Sequence, residues 1–304
     1  VIPDLGTLFS QAYWLEHASS IKNGLLLVSF TFFALWETFQ PRRNLTTPTG
    51  RRWASNSAIT LLFATPTTLV TRVSNVLLAM AVAHSRYGLL NREAVPLWIR
   101  FVLAILALDL FRYGAHRLYH SIPALWRVHR VHHADPDFDW STSFLFHPGE
   151  FLLSQLAYFA AIAILAPPAI AVLGLEVIMV AQNLFVHANV RLSPWLDGAL
   201  RQVVVTPDMH RVHHSDEFAE QNANFGDVFS LWDRFFGTYV AQPAAGHEGM
   251  GIGLRELALE RGLNLWQMLA LPFRRQPSVE VSAAKTGGDG SDLAGAGARA
   301  ATKP

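Results

Sequence analysis

His129, His132 and His133 stand at i, i+3, i+4 inside the stretch WRVHRVHHADPDFDWSTSFLFH (126–147), which also carries three aspartates. On a helix those positions share a face about one turn long, so three imidazoles can converge on one point. The pattern returns eighty-one residues later as His210, His213 and His214, again in HRVHH, and His116 and His120 form an i, i+4 pair just upstream of the first box. With thirteen histidines in 304 residues, one HxxHH would arise by chance in roughly a few sequences in a hundred, and two very rarely. Neutral imidazole is the commonest protein ligand for divalent transition metals, so the chemistry these spacings point to is metal binding. There is no cysteine, which excludes disulfides, iron–sulfur clusters and thiolate chemistry and leaves His, Asp, Glu and Asn to hold any ion.

Composition sets the surroundings of that site. Hydrophobic residues make up 51% of the chain and charged residues 15%, and the mean hydropathy is +0.24. A soluble protein of this length carries more charge. A net charge of +1 offers nothing to a nucleic acid, and the one local concentration of basic residues, Arg42, Arg43, Arg51 and Arg52, reads as a topology signal.

The histidines therefore need membrane helices to position them. The expected fold is an all-α polytopic membrane bundle of about 4–6 spans with a cytoplasmic, histidine-rich helical cap. Residues 1–20 form an interfacial segment anchored by Tyr13 and Trp14. Residues 21–275 form the membrane-embedded domain. Within it, 21–39 is a first span, and 57–83, interrupted by Pro66, is a kinked span or a broken pair. A further span, 97–119, runs into His116 and His120. Two shorter spans, 151–166 and 169–187, make a hairpin at Pro167-Pro168. With this count all three histidine clusters and the arginine loop face one side, the cytoplasm by the positive-inside rule. Residues 218–240 are an aromatic cap, 255–274 an amphipathic interfacial helix, and 276–304, rich in Gly, Ala and Ser, a disordered tail.

The boxes HRLYH (116–120), HRVHH (129–133) and HRVHH (210–214), with PALWRVHRVHH, FHPGE, HANV, TPDMHRVHH and WDRFFGTY, resemble the histidine-box membrane fatty acid hydroxylase and sterol desaturase superfamily. The resemblance implies a non-haem centre of two Fe ions, with O2 as co-substrate, that hydroxylates or desaturates an unactivated C–H bond of a lipid. It also implies an external electron donor, a ferredoxin or cytochrome-type protein with its reductase. Its metal ligands would be His116, His120, His129, His132, His133, His210, His213 and His214. Eight imidazoles exceed the four ligands of zinc and the six of octahedral iron, so two ions are the economical reading. His187, at the end of its span, is the natural ninth ligand. In the fatty acid hydroxylase branch another histidine lies four residues before it; here that residue is Asn183, so a tenth ligand is absent or replaced by an amide acting through water. Zinc can take the place of iron in purified protein.

Several residues have auxiliary readings. Asp109 is seven residues before His116 and is expected either to hold an imidazole N–H or to pair with Arg112 or Arg117. His147 in FHPGE is expected to serve the site, and Glu150 to support it or to cap the helix that follows. Glu176, in mid-span, has a function or an interhelical polar partner. His17, His84 and His247 are expected to be exposed and inert. Two other classes compete: a membrane zinc hydrolase, against which stands the absence of HExxH and HxxEH, and an electron carrier with bis-histidine haem. Neither the lipid nor the oligomeric state is legible in the sequence.

Overall fold

Ser10 begins the described chain by capping a short helix, α1 (Gln11–Glu16), with its hydroxyl on the Tyr13 N–H. The structure, a computed structural model, describes residues 10–71, 74–85, 87–92, 94–258, 260 and 262–275. Helices account for the regular structure among them, with isolated β-bridges only. The long elements are α2 (Ala18–Phe39), α3 (Thr49–Thr71), α4 (Asn75–Ala83), α5 (Leu97–Ser121), α7 (Pro148–Leu165) and α8 (Ala169–His187). Shorter α6 (Pro123–His129), α9 (Pro194–Leu200) and α10 (Pro207–His213) lie between and after them. The described residues through Arg274 form one compact unit. The expected tail, 276–304, and residues 1–9 of the expected interfacial segment lie outside the described residues.

Proline and capping side chains set these boundaries. Pro123, Pro148 and Pro207 each open a helix at its first turn, where a missing N–H costs nothing. The α7–α8 hairpin turns at Ala166, held at φ 43° and followed by Pro167-Pro168. Gly88 lies against this turn at φ +110°, where a Cβ would sit 2.2 Å from that of Ala166; only glycine permits both the conformation and the approach. Residues 57–83 resolve as a broken pair. Helix α3 continues past Pro66, and α4 starts afresh at Ser74, whose hydroxyl caps the Leu77 N–H.

The protein is a membrane protein: α2, α7 and α8 are each long and apolar enough to cross a bilayer. Helices α3 and α5 are longer but more polar. Helix α8 is central and packs against α2, α4, α5 and α10. Its Val172, Leu173 and Leu175 join Val76 and Ala79 of α4, Ile105 and Leu108 of α5, and Ile162 of α7 in one apolar core.

Beneath the first histidine box lies a second core, built from Ile59, Val131, Ala134 and Leu145 together with Leu254, Leu257, Leu263, Met268 and Leu271. The C-terminal stretch expected as one interfacial helix is thus two short turns, Arg255–Leu257 and Leu271–Phe273, around a six-residue helix, Leu265–Ala270. Gly262 at φ +81° interrupts it, and its apolar face is used against the box.

The arginine loop is also built into the protein. Arg52 is buried and pairs with Asp135 at 2.8 Å and with Asp139, which also receives the Trp53 indole N–H. Asn56 donates to Asp135, while Thr46 and Thr47 both donate backbone N–H and hydroxyl groups to Asp137. Arg42 pairs with Asp208 and Glu248, and Arg43 donates to the Met250 carbonyl. Of the four arginines read as topology signals only Arg51 is exposed. The others meet partners 83 or more residues away, which composition cannot reveal. Removing one partner of a buried pair strands the other's charge, so Arg52→Leu is expected to cost about 3–5 kcal/mol. Arg51→Ala should cost less than about 0.5 kcal/mol. Thermal unfolding in detergent, read against wild type, checks both.

Candidate metal centre

Nine imidazoles meet at one end of the bundle in two groups. His116, His120, His129, His133 and His213 form one; His132, His187, His210 and His214 form the other; within each group the donor atoms all lie within 4.8 Å of one another. Four elements deliver them: the last turns of α5, the α6 end with its following turn, the last residue of α8, and α10 with its C-cap.

Each HxxHH box is divided between the two groups, so its three imidazoles, which could have converged on one point, serve two. Residues four apart differ by about 40° around a helix axis, whereas neighbours differ by about 100°. His129 and His133 therefore stay together while His132 turns to the other group. In the second box His210 and His214 stay together and His213 turns away.

The protons are placed by the surroundings. Nδ1 of His116, His132, His187 and His213 lies 2.9, 3.0, 2.8 and 2.8 Å from the carbonyls of Phe225, Leu145, Asn183 and Ala223. His129 Nδ1 is 2.7 Å from the Glu150 carboxylate. A carbonyl only accepts, so Nδ1 carries the hydrogen and Nε2 presents its lone pair. Burial, and after it the neighbouring imidazoles, hold His133, His210, His213 and His214 well below the ordinary imidazole range; His132 is shifted the same way. These five imidazoles are therefore held in the neutral form.

A metal fits this arrangement. Nε2 of His116, His120, His213 and His214 is buried without a hydrogen-bond partner among the described residues, a costly state for a polar atom unless something else engages it. Other Nε2 atoms approach in pairs: His210–His187 at 3.1 Å, His187–His132 at 3.2 Å and His133–His129 at 3.3 Å. Two nitrogens about 2.1 Å from a shared ion, at right or tetrahedral angles, lie about 3.0–3.4 Å apart.

Aromatic rings wall the groups in. Phe146 stacks on His132 at 4.3 Å, Phe138 contacts His214 at 5.0 Å, and Trp126 lies against His120 and His133. Phe225, from the expected aromatic cap, sits edge-on to His116, His120 and His213. Side-chain patterns do not reveal the backbone carbonyls of Leu145, Ala223 and Phe225, and nothing in the sequence singled them out.

The auxiliary residues divide. Glu150 stands in the first turn of α7, whose cap is His147, and its carboxylate accepts from His129. Asn183 gives its carbonyl to His187, but its side-chain amide donates to the Ser143 carbonyl at 3.0 Å. His147 lies outside both groups; its Nδ1 accepts the Gly149 N–H and caps α7. Among the described residues Asp109 hydrogen-bonds to neither an imidazole nor an arginine. It accepts from the Val228 and Phe229 N–H groups and the Trp232 indole, because the cap reaches it first, and Arg112 pairs with Asp227 instead. His247, expected to be exposed, is buried 3.5 Å from Asp208, and burial pushes its imidazole down to about 4. Glu176 has the interhelical partners foreseen as one of its two readings, Lys22 and Asn75.

A buried poly-imidazole centre at one end of apolar spanning helices defines a histidine-box membrane protein. Residues 101–238 match the model of the fatty acid hydroxylase family, and the chain carries a domain of that family. It is 28% identical to an ornithine lipid hydroxylase of Rhizobium tropici over 186 residues, 61% of this chain and 54% of that one. It is 29% identical to the human alkylglycerol monooxygenase over 139 residues, 46% and 30% of the two chains. It is 25% identical to the mouse lathosterol oxidase over 151 residues, 47% and 46%. The match thus spans about half or less of each relative's length. No solved structure matches the chain.

Glu150 fixes His129 from outside the donor set. Glu150→Gln is expected to leave the fold intact and weaken metal binding about 10–100-fold. Chelator competition on the purified protein measures this, and unchanged affinity would show that His129 is oriented by other means.

Proposed function

We propose that the protein is an integral-membrane oxygenase that uses two Fe ions, O2 and external electrons to hydroxylate or desaturate an unactivated C–H bond of a lipid. The observation that carries this reading is that both imidazole groups open onto one cavity. The cavity, of about 540 Å³, is lined by His116, His129, His132, His187 and His210 at one end and by residues of α2, α4, α5, α7 and α8 along its length. A hydrocarbon chain from the bilayer can enter such a space with little loss of solvation.

The irons, when bound, would supply dioxygen activation and hydrogen abstraction. The five-imidazole group would hold one and the four-imidazole group the other. Around them the chain's own groups do the rest. Neutral ligands leave the ions' charge uncompensated and electrophilic. Glu150 and the three carbonyls from 145, 223 and 225 hold the imidazole protons on Nδ1, and the Asn183 carbonyl does the same for His187. Phe138, Phe146, Trp126 and Phe225 keep bulk water from the donor atoms. Electrons are assigned to a ferredoxin or cytochrome-type donor with its reductase, and the histidine end of the bundle to the cytoplasm.

The names of the relatives, an ornithine lipid hydroxylase, an alkylglycerol monooxygenase and a lathosterol oxidase, favour a lipid substrate. The hydrolase reading is weaker because neither group contains a carboxylate among the described residues. The haem reading is weaker because five and four converging imidazoles leave no room for a porphyrin plane. Iron-loaded protein supplied with reductant, a ferredoxin and its reductase, membrane lipids and oxygen-18 gas is expected to consume oxygen and yield a hydroxylated lipid carrying the label or a lipid short of two hydrogens. Lipid cleavage without oxygen uptake, or a Soret band on the purified protein, would overturn the proposal.

A further inference from the structure

The far end of the cavity is polar. Lys22 of α2, Asn75 of α4, Gln155 of α7 and Glu176 of α8 all line it and bond to one another in a chain. Lys22 Nζ donates to one Glu176 oxygen at 2.7 Å, Asn75 Nδ2 donates to the other at 2.7 Å, and Gln155 Nε2 donates to Asn75 Oδ1 at 2.6 Å. Four helices thus each spend a polar residue at a depth where the remainder of the packing is apolar. An ionisable pair inside membrane helices is costly and marks a pathway or a ligand site more often than a structural need.

The cluster is only partly satisfied internally. Lys22 uses one of its three N–H groups, and the Gln155 amide oxygen accepts from nothing among the described residues. Donors and an acceptor without a partner among the described residues thus line the cavity together. The pair Lys22–Glu176 sums to zero charge, and the amides add none. A neutral hydrogen-bonding group matches such a site, whereas a bare carboxylate or phosphate would meet Glu176. A second ion pair on the cavity wall, Arg112–Asp227, adjoins His116 at the histidine end and belongs to the metal wall.

Position gives the cluster its use. Glu176 precedes His187 by eleven residues on the same helix, about 16 Å along its axis. An extended chain advances about 1.2 Å per bond, so roughly a dozen bonds separate a group held at Glu176 from a carbon beside the imidazoles. We infer that Lys22, Asn75, Gln155 and Glu176 form a subsite for the uncharged polar group, a hydroxyl or amide, of a long-chain lipid whose hydrocarbon runs down the cavity to the metal centre. The role of this lipid as the substrate rests on the oxygenase reading; the subsite itself does not.

The test compares equilibrium binding of tritiated hexadecan-1-ol, hexadecane and palmitate to metal-loaded protein at one detergent concentration, so that micelle partitioning cancels between proteins. Wild type is expected to prefer the alcohol to the hydrocarbon. Lys22→Met combined with Glu176→Gln, which removes both charges together, should reduce that preference about tenfold or more, as should Gln155→Leu. Metal content should remain that of wild type in both. An equal affinity of wild type for alcohol and hydrocarbon, or a preference that survives both variants, would overturn the subsite. Palmitate bound more tightly than the alcohol would overturn its assignment to a neutral group. An intact, cluster-dependent preference without oxygen-18 incorporation into any lipid would support the subsite and overturn the oxygenase reading.

Discussion

Taking nine imidazoles out of water together is the constraint on which the rest of the structure depends. Each ring brings an N–H that needs an acceptor and a lone pair that needs an electrophile, and none can be charged beside the others. Five of the rings solve the first problem with carbonyls or Glu150. A metal ion in each group would solve the second, and the bare Nε2 atoms and the short nitrogen–nitrogen approaches occur together where it would sit.

Much of the remaining polar structure keeps those acceptors in place. The carbonyls of Ala223 and Phe225 are positioned by a loop that Asp233 ties through the Phe225 and Gly226 N–H groups, and that Asp109 ties through Val228, Phe229 and Trp232. Leu145 follows the turn Trp140–Phe144, which Asp139 caps while holding Arg52 and Trp53. Glu37, near the end of α2, accepts the N–H groups of Trp140 and Asn189 and so joins a spanning helix to the loops after His133 and His187. The two box arginines are buried anchors as well: Arg130 donates to carbonyls of the C-terminal stretch, and Arg211 pairs with Asp208 while lying over Phe138.

The meeting of the histidines was legible in the sequence because a metal site would demand a particular residue type at helical spacing, and both demands are local. Three of the expected spans, 21–39, 151–166 and 169–187, were legible for the same reason, since apolar length is a local property. The division of each box between two groups lay in the 100° step of the helix, but only the partner helices decide which imidazoles meet. Arg52, Asp109 and His247 were misplaced because their partners are far away in the chain. The anchor for Asp109 is a loop that begins 119 residues later, and no periodicity announces it. The C-terminal stretch had the right amphipathic pattern, yet a pattern names an apolar face without naming what covers it.

Elemental analysis of detergent-purified protein from iron-supplemented medium tests the dinuclear arrangement most directly, with His132→Ala, His213→Ala and His17→Ala prepared alongside. Two donor groups of this kind predict about two metal ions per chain. The count should fall in His132→Ala, which depletes the four-imidazole group, and in His213→Ala, which depletes the five, and should hold in His17→Ala. One ion or none in wild type, or a full complement retained in both ligand variants, would contradict a centre built from these two groups.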